Sequence, residues 1–123
     1  MIDGNHVNGV RLAGPYARLV RLTMSFNSLT ELPVLPDAPK LSLLDVTNNY
    51  ISVVRDASFT CCRMLRHLCL ARNRITSVSV SAFRFLTRLT EIDLADNRLS
   101  ALPSSLFRAC STLSVLDLSR NRL

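Results

Sequence analysis

"LTEIDLADNRL" occupies residues 89–99, and a near copy, "LSVLDLSRNRL", closes the sequence at 113–123. A looser version, "LRHLCLARNRI", stands at 65–75. Self-similarity at a fixed spacing is the first feature to test for, because it dictates the whole architecture when present. Aligned on L-x-x-L-x-L-x-x-N-x-L, the chain contains five copies. They are Leu19-Leu22-Met24-Asn27-Leu29, Leu41-Leu44-Val46-Asn49-Ile51, Leu65-Leu68-Leu70-Asn73-Ile75, Leu89-Ile92-Leu94-Asn97-Leu99 and Leu113-Leu116-Leu118-Asn121-Leu123. Their starts at 19, 41, 65, 89 and 113 are separated by 22, 24, 24 and 24 residues. One match would mean little, but five in register mark a repeat array.

The physical reading follows from the spacing. In L-x-L the aliphatics are two apart, so on a strand both point inward and the residues between them point out. The chain then turns at Asn, whose carboxamide both donates and accepts and can satisfy backbone groups left open by the turn. The segments between copies repeat as well. Leu32, Val54, Val78 and Leu102 follow each motif by three residues. Leu35, Phe59, Phe83 and Phe107 come six before the next copy, and Ala38, Cys62, Leu86 and Cys110 three before it. Stacked coils place Asn27, Asn49, Asn73, Asn97 and Asn121 in a structural ladder, about 4.8 Å apart at strand spacing. One coil cannot bury its own apolar face, so stability belongs to the stack.

These motifs resemble the leucine-rich repeat family in its 24-residue "typical" form, with "LxxLPxxxF" after the motif. The resemblance covers residues 16–123, about five repeats, and leaves 1–15 as an unaligned head or partial N-terminal cap in which "VNGVRL" is a candidate capping strand. It implies an α/β repeat solenoid: an arc with a concave parallel β-sheet and an irregular or short-helical convex side. The first repeat departs from the pattern, being two residues short and reading "LPVLPDAPKL". The last copy has its strand but no return segment, so Leu116 and Leu118 are expected to await a following coil, and the chain is read as C-terminally truncated or covered by a partner. The resemblance also implies a setting, since the form with Phe is similar to that of animal extracellular proteins such as Toll-type receptors. An extracellular or cell-surface place as part of a larger protein is expected, with the cytoplasm as the alternative.

Composition sets outer bounds. A chain of 123 residues with 48% hydrophobic content suits one domain, and with few aromatics and no Trp the packing must be mainly aliphatic. No run approaches the roughly eighteen apolar residues of a membrane span, and "MIDGNHVNG" has neither the basic nor the apolar region of a secretory signal. There is no Asn-x-Ser/Thr acceptor, and Cys61, Cys62, Cys69 and Cys110 have neither zinc spacing nor the pattern of a disulfide scaffold. Cys62 and Cys110 fall at inward positions, where a free Cys is a good apolar filler. The net charge of +6 rests on fourteen Arg and one Lys.

The outward residues form columns. One reads Arg21, Leu43, His67, Glu91 and Val115, and its neighbour reads Thr23, Asp45, Cys69, Asp93 and Asp117. The next is small and flat: Ser25, Thr47, Ala71, Ala95 and Ser119. Beyond it Phe26, Asn48, Arg72, Asp96 and Arg120 are larger and more varied, and the position after each Asn reads Ser28, Tyr50, Arg74, Arg98 and Arg122. Such a surface suits docking another macromolecule and offers no pocket that could desolvate a reaction. A non-catalytic protein–protein interaction module is expected, binding its partner on the concave face. His67, Cys69, Glu91 and Asp93 lie close enough to resemble a metal or Cys–His site, but nothing encloses them or supplies an oxyanion site, so neither catalysis, cofactor nor metal is expected. The alternative function is polyanion binding through Arg72, Arg74, Arg98, Arg120 and Arg122 on one edge, to an acidic polysaccharide or a nucleic acid. Nucleic acid is the less favoured of these, because no aromatics are expected to interleave with the arginines as stacking platforms.

Overall fold

Alternation of inward Leu or Ile with outward residues produces five short strands, one per motif. The computed structural model describes Gly4, residues 16–35 and residues 38–123; the candidate capping strand lies outside the described residues. Strand β1 is Arg21–Thr23 and β2 is Leu43–Asp45. Two-residue β3 is Val53–Val54, followed by β4 at His67–Cys69, two-residue β5 at Ser77–Val78, β6 at Glu91–Asp93 and β7 at Val115–Asp117. The motif strands form one parallel sheet in the order β1-β2-β4-β6-β7, each residue facing its counterpart in the next copy. Parallel neighbours require a crossover between them, and here each crossover is one coil of the solenoid. The short first repeat does not disturb this register, since Leu22 pairs with Leu44 as Leu44 pairs with Leu68.

The core is a continuous aliphatic spine. Leu22, Leu44, Leu68 and Ile92 are at most 6% exposed, and Met24, Val46, Leu70 and Leu94 are fully buried. At the last strand the pattern stops: Leu116 is 41% exposed, β7 being the edge strand of the described sheet. Phe59, Phe83 and Phe107 stack behind the sheet, with ring centroids 6.0 and 5.8 Å apart.

The return side is the irregular half of the expected alternatives, with no helix among the described residues. It consists of successive turns whose N–H groups reach back three residues, as in Cys62 to Phe59, Leu86 to Phe83 and Cys110 to Phe107. There β3 and β5 pair, extended by the Ser79 N–H donating to the Val54 carbonyl at 2.9 Å. One coil later the residue equivalent to Ser79 is Pro103, which has no N–H to continue that ladder. No helix among the described residues is long and apolar enough to cross a membrane.

Besides the sheet ladder and the backbone bonds between turns, the asparagines join each coil to the one before it. The Asn73 amide nitrogen donates to the Leu70 and Ala71 carbonyls of its own turn and to Val46 of the preceding coil, each at 3.1 Å. Its Oδ1 accepts the Ile51 N–H at 3.1 Å. Asn49, Asn97 and Asn121 repeat the arrangement toward Met24 and Leu29, Leu70 and Ile75, and Leu94 and Leu99. Replacing Asn73 by Ala would orphan the buried Ile51 N–H and weaken satisfaction of three carbonyls, for an expected loss of about 3 kcal/mol. Asn121→Ala should cost about 1 kcal/mol, because water reaches that half-exposed turn. Urea unfolding of the two variants checks the order; equal losses would contradict a ladder of buried bonds.

Candidate functional site

Each motif strand is followed by a turn whose backbone is set by two devices. The first is a residue in the left-handed region immediately before the ladder Asn: Phe26, Asn48, Arg72, Asp96 and Arg120 have φ between 53° and 56°. Asn and Asp tolerate this conformation, whereas Phe and Arg are held there at a cost of roughly 1 kcal/mol each. The variation in this column therefore coexists with one fixed backbone. Recurrence of Asn48 and Asp96 at equivalent positions was the sequence signal for it.

The second device involves the concave acids. Oδ1 of Asp45, Asp93 and Asp117 accepts the N–H two residues on, from Thr47, Ala95 and Ser119, each at 2.9 Å. These carboxylates close local Asx-turns as well as facing the concave surface. Hydrogen bonds from Ser119, with Arg120 nearby, hold the Asp117 carboxyl below the usual carboxylate range. Thr23 and Cys69 occupy the same column without a carboxylate to do this.

The sheet register brings the concave columns together. Arg21, Leu43, His67, Glu91 and Val115 pair in one row, and Thr23, Asp45, Cys69, Asp93 and Asp117 in the next. His67 Nδ1 lies 3.2 Å from Glu91 Oε2, both side chains substantially exposed. Around them is a shallow hollow of about 230 Å³, with Cys69, Asp93 and Val115 on its walls. No group of three or more metal-type ligands forms among the described residues. Burial, and then Asp45, Asp93 and Glu91, push the Cys69 thiol up to about 11. A nucleophilic Cys needs the opposite surroundings, cations that draw out the thiolate. Cys62 is pushed up to about 12 by burial and by Cys61, whose own thiol donates to the Leu35 carbonyl. All four cysteines are free.

On the edge beyond the ladder the aromatics do not interleave with the arginines but adjoin them at one junction: Phe26, 62% exposed, and Tyr50 line a hollow of about 370 Å³ with Asn48 and Arg72. Arg74 lies over the Tyr50 ring, 4.2 Å from its centroid. Nor is the edge uniformly cationic, since Asp96 lies between Arg72 and Arg120 at 3.8 and 3.6 Å. Both aromatics belong to the first two coils, whereas the arginines begin at the third, so columns examined by residue class hid the junction between them.

Because so little of Cys69 is thiolate at neutral pH, iodoacetamide should modify it on the order of a hundredfold more slowly than free cysteine. The rate should climb about tenfold per pH unit toward about 11, as read by site-resolved mass spectrometry. Fast modification near neutrality would mean that burial and the concave acids do not keep this thiol protonated.

Comparison with known proteins agrees with this geometry. A search of curated proteins returned no match. Among solved structures, the Toll–Spätzle complex of Drosophila contains a chain that superposes with a TM-score of 0.76 at 23% identity, covering 89% of this chain and 16% of that one. The TLR13–ssRNA13 complex gives a TM-score of 0.74 at 26% identity, covering 87% of this chain and 19% of that one. The chain thus spans under a fifth of the length of either neighbour. The sequence profile named leucine rich repeat matches residues 17–75, 39–99 and 87–123. With parallel coils, an asparagine ladder and that profile running from Ala17 to the last residue, the chain belongs to the leucine-rich repeat family.

Proposed function

We propose that this array is a non-catalytic module that binds a protein partner on its concave face. The observation carrying the reading is the in-register sheet with its outward columns, which presents a cationic, an apolar, an imidazole and an acidic group side by side on a backbone held by interstrand bonds. Mixed chemistry on a rigid, open surface favours recognition by complementarity over enclosure of a small substrate. Leucine-rich repeat domains are typically binding modules, and the similar structures named above are a Toll–Spätzle complex and a TLR13–ssRNA13 complex. Those likenesses also support placing the chain in the extracellular or cell-surface part of a larger receptor-like protein, with a cytoplasmic adaptor as the other setting.

Arg21, Leu43, His67, Glu91 and Val115 would set specificity, with Thr23 and Cys69 contributing shape beside them. Leu43 and Val115 are the apolar members, and Val115 is 50% exposed. They suit a hot-spot role, since apolar area flanked by polar groups gives affinity while its surroundings give selectivity. Polyanion binding through the Arg edge stays as the second reading, favoured by Arg74, Arg98 and Arg122 having no carboxylate within ion-pair distance among the described residues.

The test is an interaction screen with the native array and with a Leu43→Asp, Val115→Asp double variant, using Val80→Asp on the convex side as control. A partner of the concave face should bind the double variant at least about tenfold more weakly and the control equally well. Loss in the control with retention in the double variant would overturn the assignment.

A further inference from the structure

We propose that the edge beyond the asparagine ladder is a receptor for an acidic protein segment, with Arg74 stacked on Tyr50 as its pre-organised anchor. The proposal rests on reading the array as a protein-binding module but concerns a face apart from the concave columns. Position along this edge is fixed by the backbone. The N–H groups of Tyr50, Arg74, Arg98 and Arg122 donate to the Leu29, Ile51, Ile75 and Leu99 carbonyls of the preceding coils, at 2.7, 2.9, 2.9 and 2.8 Å. Their side chains consequently leave the solenoid one per coil, about 4.8 Å apart at strand spacing.

Arg74 has a conformation suited to anion capture before any partner arrives. Its guanidinium lies 4.2 Å from the Tyr50 ring centroid. Contact with the ring restrains the guanidinium while N–H donors not engaged by a carboxylate stay available for a bidentate acid. Among the described residues no carboxylate comes within ion-pair distance of Arg74, Arg98 or Arg122. Side-chain freedom already given up to the ring is not lost again on binding, so a stacked Arg binds more tightly than a free one of equal charge. Next to it, Phe26 stands 62% exposed at the hollow it shares with Tyr50, offering an apolar wall to a residue beside the acid.

The sign pattern argues for a protein segment over a uniform polyanion. Asp96 interrupts the edge between Arg72 and Arg120. A few residues away along the same coils, Asp45, Glu91, Asp93 and Asp117 put carboxylates on the concave surface. A chain charged at every unit would bring anions against these carboxylates, whereas a peptide can place its acids opposite Arg74, Arg98 and Arg122 and an apolar residue at Phe26.

The test uses the full chain, labelled at arginine side chains, titrated with a short Glu-rich peptide containing one Leu in about 0.15 M salt. Saturable shifts are expected at Arg74, Arg98 and Arg122. Arg74→Lys, which keeps the charge, and Tyr50→Leu, which keeps the bulk, should each weaken binding on the order of fivefold. Val80→Asp on the convex side should not weaken it. Absence of saturable shifts overturns the proposal, as does unaltered affinity in Arg74→Lys or displacement of the peptide by an equal concentration of a short oligothymidylate. A partner that ignored the Leu43→Asp, Val115→Asp variant would leave these shifts in place. A partner lost in that variant, with no peptide shifts, would remove the edge receptor alone.

Discussion

The asparagine carboxamide is the constraint on which the rest of the structure depends. Each coil must reverse direction after three strand residues, and reversal removes backbone groups from any regular ladder. An amide at that position has donors and an acceptor on one planar group, and in Asn73 it meets two carbonyls of its own turn, one carbonyl of the preceding coil and one N–H of that coil. Asp could not do this, lacking donors, and Leu could do none of it. No buried side-chain nitrogen or oxygen among the described residues is left without a partner. The same carboxamide that satisfies a turn also ties it to the preceding coil, so local satisfaction and the joining of coils share one origin.

The architecture was legible because two periods coincide in the sequence. The two-residue period of L-x-L assigns faces, and the 24-residue period assigns coils. Together they fix the register, and the observed pairing of Leu44 with Leu68 and of Leu68 with Ile92 follows. What escaped the reading depends on backbone geometry more than on residue class. A left-handed residue such as Arg72 has no compositional mark, since the surrounding turn imposes φ on whatever side chain is there. The turn-closing bonds of Asp45, Asp93 and Asp117 were hidden because a carboxylate on an outward column has the same letter whether it faces a partner or its own backbone. On the convex side the pattern allowed either a short helix or irregular coil, and consecutive three-residue turns were enough to bring Phe59, Phe83 and Phe107 together.

The candidate surface was legible in part for the same reason. Columns could be written down, and the register places their members side by side. Contacts between columns could not, because they depend on rotamers and on which coil each residue occupies. His67 meeting Glu91, Asp96 lying between Arg72 and Arg120, and Arg74 over Tyr50 all cross from one coil to another. The last of these matters most, since it turns two unremarkable letters 24 residues apart into one object.

Stability and recognition are consequently separable in this fold. Inward positions carry the burial, with Met24, Val46, Leu70 and Leu94 fully enclosed, while outward positions between them contribute little to it. An outward residue can change identity without disturbing the spine, provided it does not serve a turn. Asp45, Asp93 and Asp117 fail that condition, because each closes the turn after its strand. Arg21, Leu43, His67, Glu91 and Val115 meet it, having no such bond to the local backbone among those described. The column without such a bond is therefore free to vary, and in successive coils it carries a cation, an apolar group, an imidazole, a carboxylate and a second apolar group.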